Sequence, residues 1–319
     1  MVQFPAGALP AVVCRPTFTS LRSVNSRPAH SATHYYLHHN AYFTPSHRPM
    51  SMTTSAPDLD LGFTVGLGMP FDEAVAWAAE EGFRFVELLL DGPYARERID
   101  DERAAMRRTL DDAGLGVVVH LPFAADPGSP FAPVRAGVVE EFTAGMDLAA
   151  DLGAQKVVFH PSSDAWDLGW TAAECREFVH DALDDLVPAA VERGLEPCLE
   201  NVVSSYYDAT AFPELLARYP AASMTFDTSH ALLAGMDEAG MARFCRGHAD
   251  RIGHLHLVDT RGGDDEHLPV GMGAVDFGTV FAGLAAAEWS GTATLEVGTE
   301  DYDTIALGKR HVEELLTVD

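Results

Sequence analysis

Lysine is nearly absent from this chain of 319 residues: Lys156 and Lys309 stand against 48 aspartates and glutamates. A surface so short of cations has no broad basic face for a nucleic-acid backbone, whose recognition rests on neutralised phosphates. Cysteine is scarce as well, and Cys14, Cys175, Cys198 and Cys245 form no CxxC pair. That spacing excludes a disulfide framework and a thiolate zinc site, and it suits a reducing cytoplasm, the compartment we expect. No apolar run approaches the roughly 18–20 residues of a membrane helix, so no membrane partner is expected. Acid is missing altogether before Asp58.

This last absence divides the chain. Residues 1–57 hold Arg15, Arg22, Arg27, Arg48, five histidines and clusters of Pro, Ser and Thr without sustained periodicity. Pro5 and Pro10 interrupt their short apolar run and no basic residue precedes it, unlike a secretory signal. We expect a disordered or misassigned extension, with Met50 or Met52 as the true first residue; an organellar transit peptide is the alternative. Residues 58–319, expected to be one domain, hold 17 basic against 48 acidic side chains, a formal charge of −31. This composition is similar to that of proteins from salt-loving archaea, where concentrated salt screens a self-repelling surface. An ordinary acidic mesophilic protein is the other reading. Hydrophobic residues, 47% of the chain, are enough for a sizeable core.

From about residue 60 a unit recurs: a short β-rich run, a polar turn, an amphipathic helical stretch. Strands are predicted at 61–67, 84–90, 116–121, 155–160, 196–200, 222–227, 252–258 and 292–297. Helices are predicted near 71–81, 96–112, 134–152, 171–193, 210–218, 238–248, 276–287 and 301–315. Gly82, Gly114, Gly153 and Gly194 fall just past helix ends, where a left-handed cap wants glycine. Eight such units match a single (β/α)8 TIM barrel with its active site at the C-terminal mouth of the strands. A doubly wound sheet is the rival, but FTVGLGMPF is a poor phosphate-binding turn.

The metal-type side chains favour the barrel. His120, His160, Glu200, Asp227, His256 and Glu296 each lie at or near the end of a different predicted strand, the third to the eighth. Their separations of 40, 40, 27, 29 and 40 residues are each one strand–helix unit. His230, Asp265 and His267 lie in the adjoining loops. One such residue alone reads as a hydrogen-bonded structural group or a helix cap, and Asp227 and Asp265 also suit turns. Six in succession at strand ends point to a shared site. Histidine and carboxylate without cysteine is a ligand mix for zinc, manganese, iron or cobalt.

FDTSHALLAGMD (226–237), HLHLVD (254–259), DEHLPVGMGAVDF (265–277), VVFHPSS (157–163), CLEN (198–201) and TLEV (294–297) together resemble the xylose isomerase-like superfamily. That group includes endonuclease IV and sugar isomerases and epimerases. By this resemblance, Glu200, Asp227, His256 and Glu296 correspond to the four ligands of the single metal in the epimerases. His120, His160, His230, Asp265 and His267 correspond to the five further ligands with which endonuclease IV holds three zinc ions. The resemblance thus implies a divalent metal, zinc or manganese, in one to three ions. The chain lacks the first-strand start of endonuclease IV and any counterpart of its DNA-probing loops, and VVSSYYD follows CLEN in place of a glycine-containing run.

The expected function is a metal-dependent isomerase or epimerase that moves a proton on a sugar or sugar phosphate through an enediolate. Glu200 and Glu296 are the expected proton shuttles, and His230 the expected oxyanion stabiliser. Arg261 is the candidate for a phosphate, Tyr206 and Trp166 for a sugar face, with Tyr207 as a further aromatic. For these aromatics, packing within loops is the competing reading. Glu87, near the end of the second strand, reads equally as a substrate contact or as interior packing. An endonuclease IV-like zinc phosphodiesterase is the alternative, with nucleic acid a less favoured partner than a small sugar. A non-catalytic metal-binding barrel is the third reading, and assembly as a homo-oligomer stays open. N-terminal sequencing of the native protein checks the expected extension: a first residue of Met50 or Met52 supports it, and Met1 overturns it.

Overall fold

The computed structural model describes residues 56–165, 169–203 and 206–317. Eight strands form, Asp58–Val65 (β1), Phe85–Leu89 (β2), Gly116–His120 (β3), Lys156–Phe159 (β4), Glu196–Glu200 (β5), Ser223–Asp227 (β6), Ile252–Leu257 (β7) and Ser290–Leu295 (β8). Each pairs in parallel with the next and β8 closes on β1, giving the expected (β/α)8 barrel. The α-helices are Phe71–Glu80 (α1), Arg96–Ile99 (α2), Arg103–Ala113 (α3), Ala132–Leu152 (α4), Ala172–Glu192 (α5), Phe212–Arg218 (α6), Thr228–Leu233 (α7), Glu238–His248 (α8), Phe277–Ala285 (α9) and Tyr302–Thr317 (α10). Among the described residues, no helix is long and apolar enough to cross a membrane.

Two local expectations give way to the structure, and one helix was not foreseen. The helix predicted over 96–112 is broken by a 3₁₀ turn at Asp100–Glu102, where three successive carboxylates crowd one turn and Arg103 folds back on Asp100. β1 begins at Asp58, because its pairing with β8 starts at Asp58 opposite Ser290, and it ends at Val65 before a Gly66–Met69 turn. The six-residue α7 is too short to show a helical period; the Asp227 carboxylate nucleates it by accepting the His230 amide at 2.6 Å. The four helix-end glycines do adopt the left-handed conformation, with φ between 69° and 80°.

The core lies in two shells. Phe63, Leu88, Phe142, Leu148, Phe159 and Phe226 are fully buried. Within the sheet's inner ring, where alternate residues of each strand meet, Phe85, Val118, Val158 and Cys198 form a small apolar plug. At the N-terminal side of that plug, Lys156 bonds the Glu196 carboxylate at 2.6 Å and the Gly253 carbonyl at 2.9 Å. At the C-terminal side the inward residues are polar. His120, Glu200 and Asp227 end their strands, and Asp227 pairs in register with His256.

The loop after β7, residues 258–276, carries Asp265 and His267 and is shaped by one buried carboxylate. Asp259 is fully buried and accepts four backbone amides, from Thr260 (2.9 Å), Gly271 (3.0 Å), Gly273 (2.7 Å) and Val275 (3.0 Å). Its own backbone bridges to Leu268 in both directions. Only glycine fits at 273, since a Cβ there would stand 2.3 Å from the Asp259 Oδ1. Replacing Asp259 by Asn turns an amide toward two of these donors. Hydrogen bonds to a charged acceptor are worth about 1.5–3 kcal/mol each, so Asp259→Asn should destabilise by at least about 2 kcal/mol in denaturant melts. It should also speed amide exchange across 260–275, whereas unchanged exchange there would show that the loop is held by something else.

Candidate metal centre

Strand register decides which side chains meet. His120 is level with Val158, Glu200 with Thr225, Asp227 with His256, and His256 with Thr294. His160 and Glu296 follow the last residues of β4 and β8 directly. The strand ends of a closed barrel turn these side chains toward one axis, and all nine sequence-predicted candidates form one connected cluster.

Glu200 is its hub. Its Oε2 stands 3.2 Å from His120 Nε2, 3.3 Å from His160 Nε2 and 3.3 Å from His256 Nδ1, while Oε1 stands 3.2 Å from His230 Nδ1. His256 Nδ1 is also 2.9 Å from Glu296 Oε2 and 4.0 Å from Asp227 Oδ2. Two sets of ligand-type atoms result, each mutually within 4.8 Å: His120 with His160 and Glu200, and Glu200 with Asp227, His256 and Glu296. They share Glu200. Beside them Asp265 Oδ2 lies 3.0 Å from both His230 Nε2 and His267 Nε2, and His267 Nδ1 is 3.8 Å from Glu296 Oε1. His267 holds a left-handed φ of 48°, an uncommon conformation for a residue with a side chain.

The donor set fits a cation. Asp227 Oδ2, His256 Nδ1 and Glu296 Oε2 are buried and have no hydrogen-bond partner. Buried polar atoms are nearly always paired, and three orphans from one of the sets above call for a positive charge among them. Asp227 serves two ends at once, Oδ1 capping α7 and Oδ2 facing the cluster. Burial, together with the charges of Glu200 and Glu296, pushes the Asp227 carboxyl up to about 7. Burial would also raise Glu200, but the imidazoles of His256 and His160 beside it hold it well below the usual carboxylate range. Burial opposes charge on His256, yet Glu200, Glu87 and Glu296 raise its pKa well above the ordinary histidine value. Without a cation, the negative charge of Glu200 and Glu296 is answered only by the neighbouring imidazoles.

The expected substrate contacts fare differently. Arg261 is largely exposed, and its backbone amide and guanidinium both bond Glu266 rather than a carboxylate of the cluster. Tyr206 is buried, its hydroxyl donating to the Ala165 carbonyl at 3.3 Å, and Tyr207 is buried with its hydroxyl 2.9 Å from His180 Nε2. Both rings pack within the loops. Trp166 lies outside the described residues. Glu87 does not reach the mouth: it is fully buried beneath His256, 3.1 Å from its Nε2. Glu87, His254 and His256 also lie within ligand range of one another, but Glu87 and His254 are hydrogen-bonded throughout, so they form a support and not an ion site.

Sequence reasoning passed over three contributors. Asn201 accepts the Asp227 amide at 2.8 Å and donates to the Asp227 carbonyl at 3.0 Å, tying the ends of β5 and β6. Thr228 donates to the Val258 carbonyl at 2.7 Å and accepts the Val258 amide at 3.0 Å. His254 sits two residues before His256, a spacing that puts both on one face of a strand and was the available signal.

Comparison with known proteins agrees with this architecture. An uncharacterized protein of Methanocaldococcus jannaschii is 29% identical over 189 residues, 56% of this chain, and the chain spans only 64% of that protein's length. The L-ribulose 3-epimerase of Methylomonas sp. strain DH-1 is 26% identical over 70% of this chain and 77% of its own. A probable endonuclease 4 of Methanocorpusculum labreanum is 24% identical over 79% and 99% of the two chains. Among solved structures, a D-tagatose 3-epimerase-like protein shares the fold with a TM-score of 0.68, at 24% identity over 81% of this chain and 97% of its own. A Thermus thermophilus protein soaked with ZnCl2 superposes with a TM-score of 0.61 at 26% identity, over 80% and 99% of the two chains. The family model described as the xylose isomerase-like TIM barrel matches residues 75–316, and the chain belongs to that family.

Proposed function

We propose that residues 58–319 form a divalent-metal-dependent isomerase or epimerase acting on an uncharged sugar. The observation that carries the reading is the trio of buried, unpartnered ligand atoms on Asp227, His256 and Glu296, closed from below by Glu200. Those four residues would hold the ion, and the likeness to an L-ribulose 3-epimerase supports the sugar class. A cation bound there supplies Lewis acidity, which acidifies the C–H beside a substrate carbonyl.

The protein's own groups then divide the work. Glu296 is the carboxylate open to the mouth, with 20% of its side chain exposed against 1% for Glu200. Glu296 takes the proton from the carbon next to the carbonyl, leaving an enediolate. Its return to the neighbouring carbon isomerises the sugar; epimerisation needs a second proton delivered to the opposite face, from a Glu200 protonated in the substrate complex, while Glu296 keeps the one it took. His230, against the far oxygen of Glu200, meets the developing oxyanion. No lysine or arginine among the described residues pairs with a carboxylate of the cluster, and Arg261 is taken by Glu266. An uncharged sugar therefore suits the mouth better than a sugar phosphate.

The hydrolase reading rests on one specific observation, the assembly of His120, His160, His230, Asp265 and His267 around the same hub. That set would hold further zinc for phosphodiester cleavage. Metal analysis of protein purified in high-potassium buffer without chelator separates the two. About one manganese, cobalt or magnesium per chain, with deuterium uptake from D2O into a ketose, supports the isomerase. About three zinc, with cleavage of abasic DNA and no sugar exchange, supports the hydrolase. No metal bound and none taken up on titration would overturn both.

Two substitutions should separate the carboxylates. Glu296→Gln should lower the exchange rate by roughly 10²–10⁴-fold, the usual worth of a general base, with metal largely retained. Glu200→Gln should release the metal itself. Undiminished activity in both would overturn the catalytic reading of these two carboxylates.

A further inference from the structure

Below the ligand cluster a second polar chain runs along the barrel axis, where a (β/α)8 barrel ordinarily packs branched apolar side chains. It joins Glu87 of β2 to His254 and His256 of β7 and to Thr292 and Thr294 of β8. Glu87, His254, His256 and Thr294 are all essentially inaccessible to solvent. Glu87 Oε1 lies 3.1 Å from His256 Nε2. Glu87 Oε2 lies 3.2 Å from His254 Nε2 and accepts the Thr294 hydroxyl at 2.5 Å. His254 Nδ1 lies 2.7 Å from the Thr292 hydroxyl. Thr292 in turn lines a cavity of about 190 Å³ with Lys156 and Asp60, so the chain extends from that cavity to the ligand cluster.

The chemistry of one carboxylate sets the direction of every bond in this chain. A carboxylate only accepts, so both imidazoles facing Glu87 must donate through Nε2–H. A neutral imidazole protonated at Nε2 carries its lone pair on Nδ1. His254 Nδ1 therefore accepts from the Thr292 hydroxyl. When His256 is neutral, as a ligating imidazole must be, its lone pair therefore lies on Nδ1, 2.9 Å from Glu296 Oε2 and 3.3 Å from Glu200 Oε2. The same Nδ1 is one of the three orphaned atoms of the cluster. Were His256 held in the other tautomer, Nδ1–H would donate to these carboxylates and no ligand atom would remain.

We propose that Glu87 and His254 are positioning residues that lock His256 in its Nε2–H tautomer, so that Nδ1 is the atom offered to the cation. The inference rests on the metal reading given above for its purpose, though the tautomer can be read without metal once the ring is neutral. Outer hydrogen-bond partners of a ligating histidine are commonly worth 10–100-fold in metal affinity. Glu87→Gln keeps the shape but replaces one acceptor oxygen with a donor, which favours the opposite tautomer wherever the amide NH2 faces His256. Thr292→Val removes the last donor of the chain from a half-buried position and leaves every proposed ligand intact.

The test uses the full-length protein, labelled with [15N]histidine and freed of metal by chelator. Long-range 1H–15N spectra, recorded at a pH high enough for the His256 ring to be neutral, should show it protonated at Nε2 in the wild type and shifted toward Nδ1–H in Glu87→Gln. Titration with Co2+ should then show affinity weakened roughly 10–100-fold in Glu87→Gln, with an altered visible spectrum. In Thr292→Val the expected loss is smaller, about threefold to tenfold, the worth of one hydrogen bond expressed as a binding ratio. If Glu87→Gln fails to fold, Thr292→Val carries the same two readouts. A wild-type His256 protonated at Nδ1, or a folded Glu87→Gln with tautomer and affinity unchanged, overturns the proposal. A wild type with the expected tautomer that takes up no Co2+ supports the lock and overturns the metal reading instead.

Discussion

Glu200 ends β5 with almost none of its surface exposed, and four imidazoles from β3, the β4 loop, α7 and β7 face its two oxygens. Burying a carboxylate is costly unless its lone pairs are answered, and here the answers come from across the barrel. Much of the remaining polar structure serves to bring those imidazoles and their partner carboxylates to the point where Glu200 can be buried. The closing of β8 on β1 brings Glu296 to that point; the register of β6 against β7 brings Asp227 level with His256. The arrangement holds more acceptors than donors, which makes it a receptor for positive charge.

Several residues meet two demands with one side chain. Asp227 uses one oxygen to start α7, and that helix presents His230 back to Glu200. Asn201 binds the backbone of Asp227 on both sides, so the ends of two ligand-bearing strands move as one. Asp259 gathers four amides and thereby holds Asp265 and His267 against the cluster from a loop with little regular structure. These links are hydrogen bonds to charged acceptors or paired backbone groups, the kind that fixes position most firmly. Sites held this way tolerate a strained neighbour, as the left-handed His267 illustrates.

Within the barrel, polarity changes along the axis. Lys156 and Glu196 neutralise each other on one side, Phe85, Val118, Val158 and Cys198 fill one wall, and the Glu87–His254 chain fills the other. The apolar plug keeps water from one flank of the chain, so each hydrogen bond within it is stronger than it would be in solvent. This explains why a family defined by its barrel can host different reactions. The strand-end ligands and their supports are few, and the loops that choose a substrate are built separately.

The strand–helix alternation, the barrel class and the strand-end rank of six ligands were legible from the amino-acid sequence, because hydrophobic period and strand ends are properties of near neighbours along the chain. Separations of one unit each told that His120, His160, Glu200, Asp227, His256 and Glu296 would share a mouth. What stayed hidden depends on contacts across the fold. Glu87 and His256 are separated by 169 positions, and only strand register and tilt put one under the other. Arg261 looked available until its loop turned it onto Glu266, and Tyr206 looked like a sugar platform until the neighbouring loop buried it. The short α7 escaped notice because one buried carboxylate, rather than any helical period, creates it. Local pattern thus determined which residues reach the mouth. Tertiary structure alone decided which atoms face one another there, since hydrogen-bond direction and burial are settled between strands that meet only when the barrel closes.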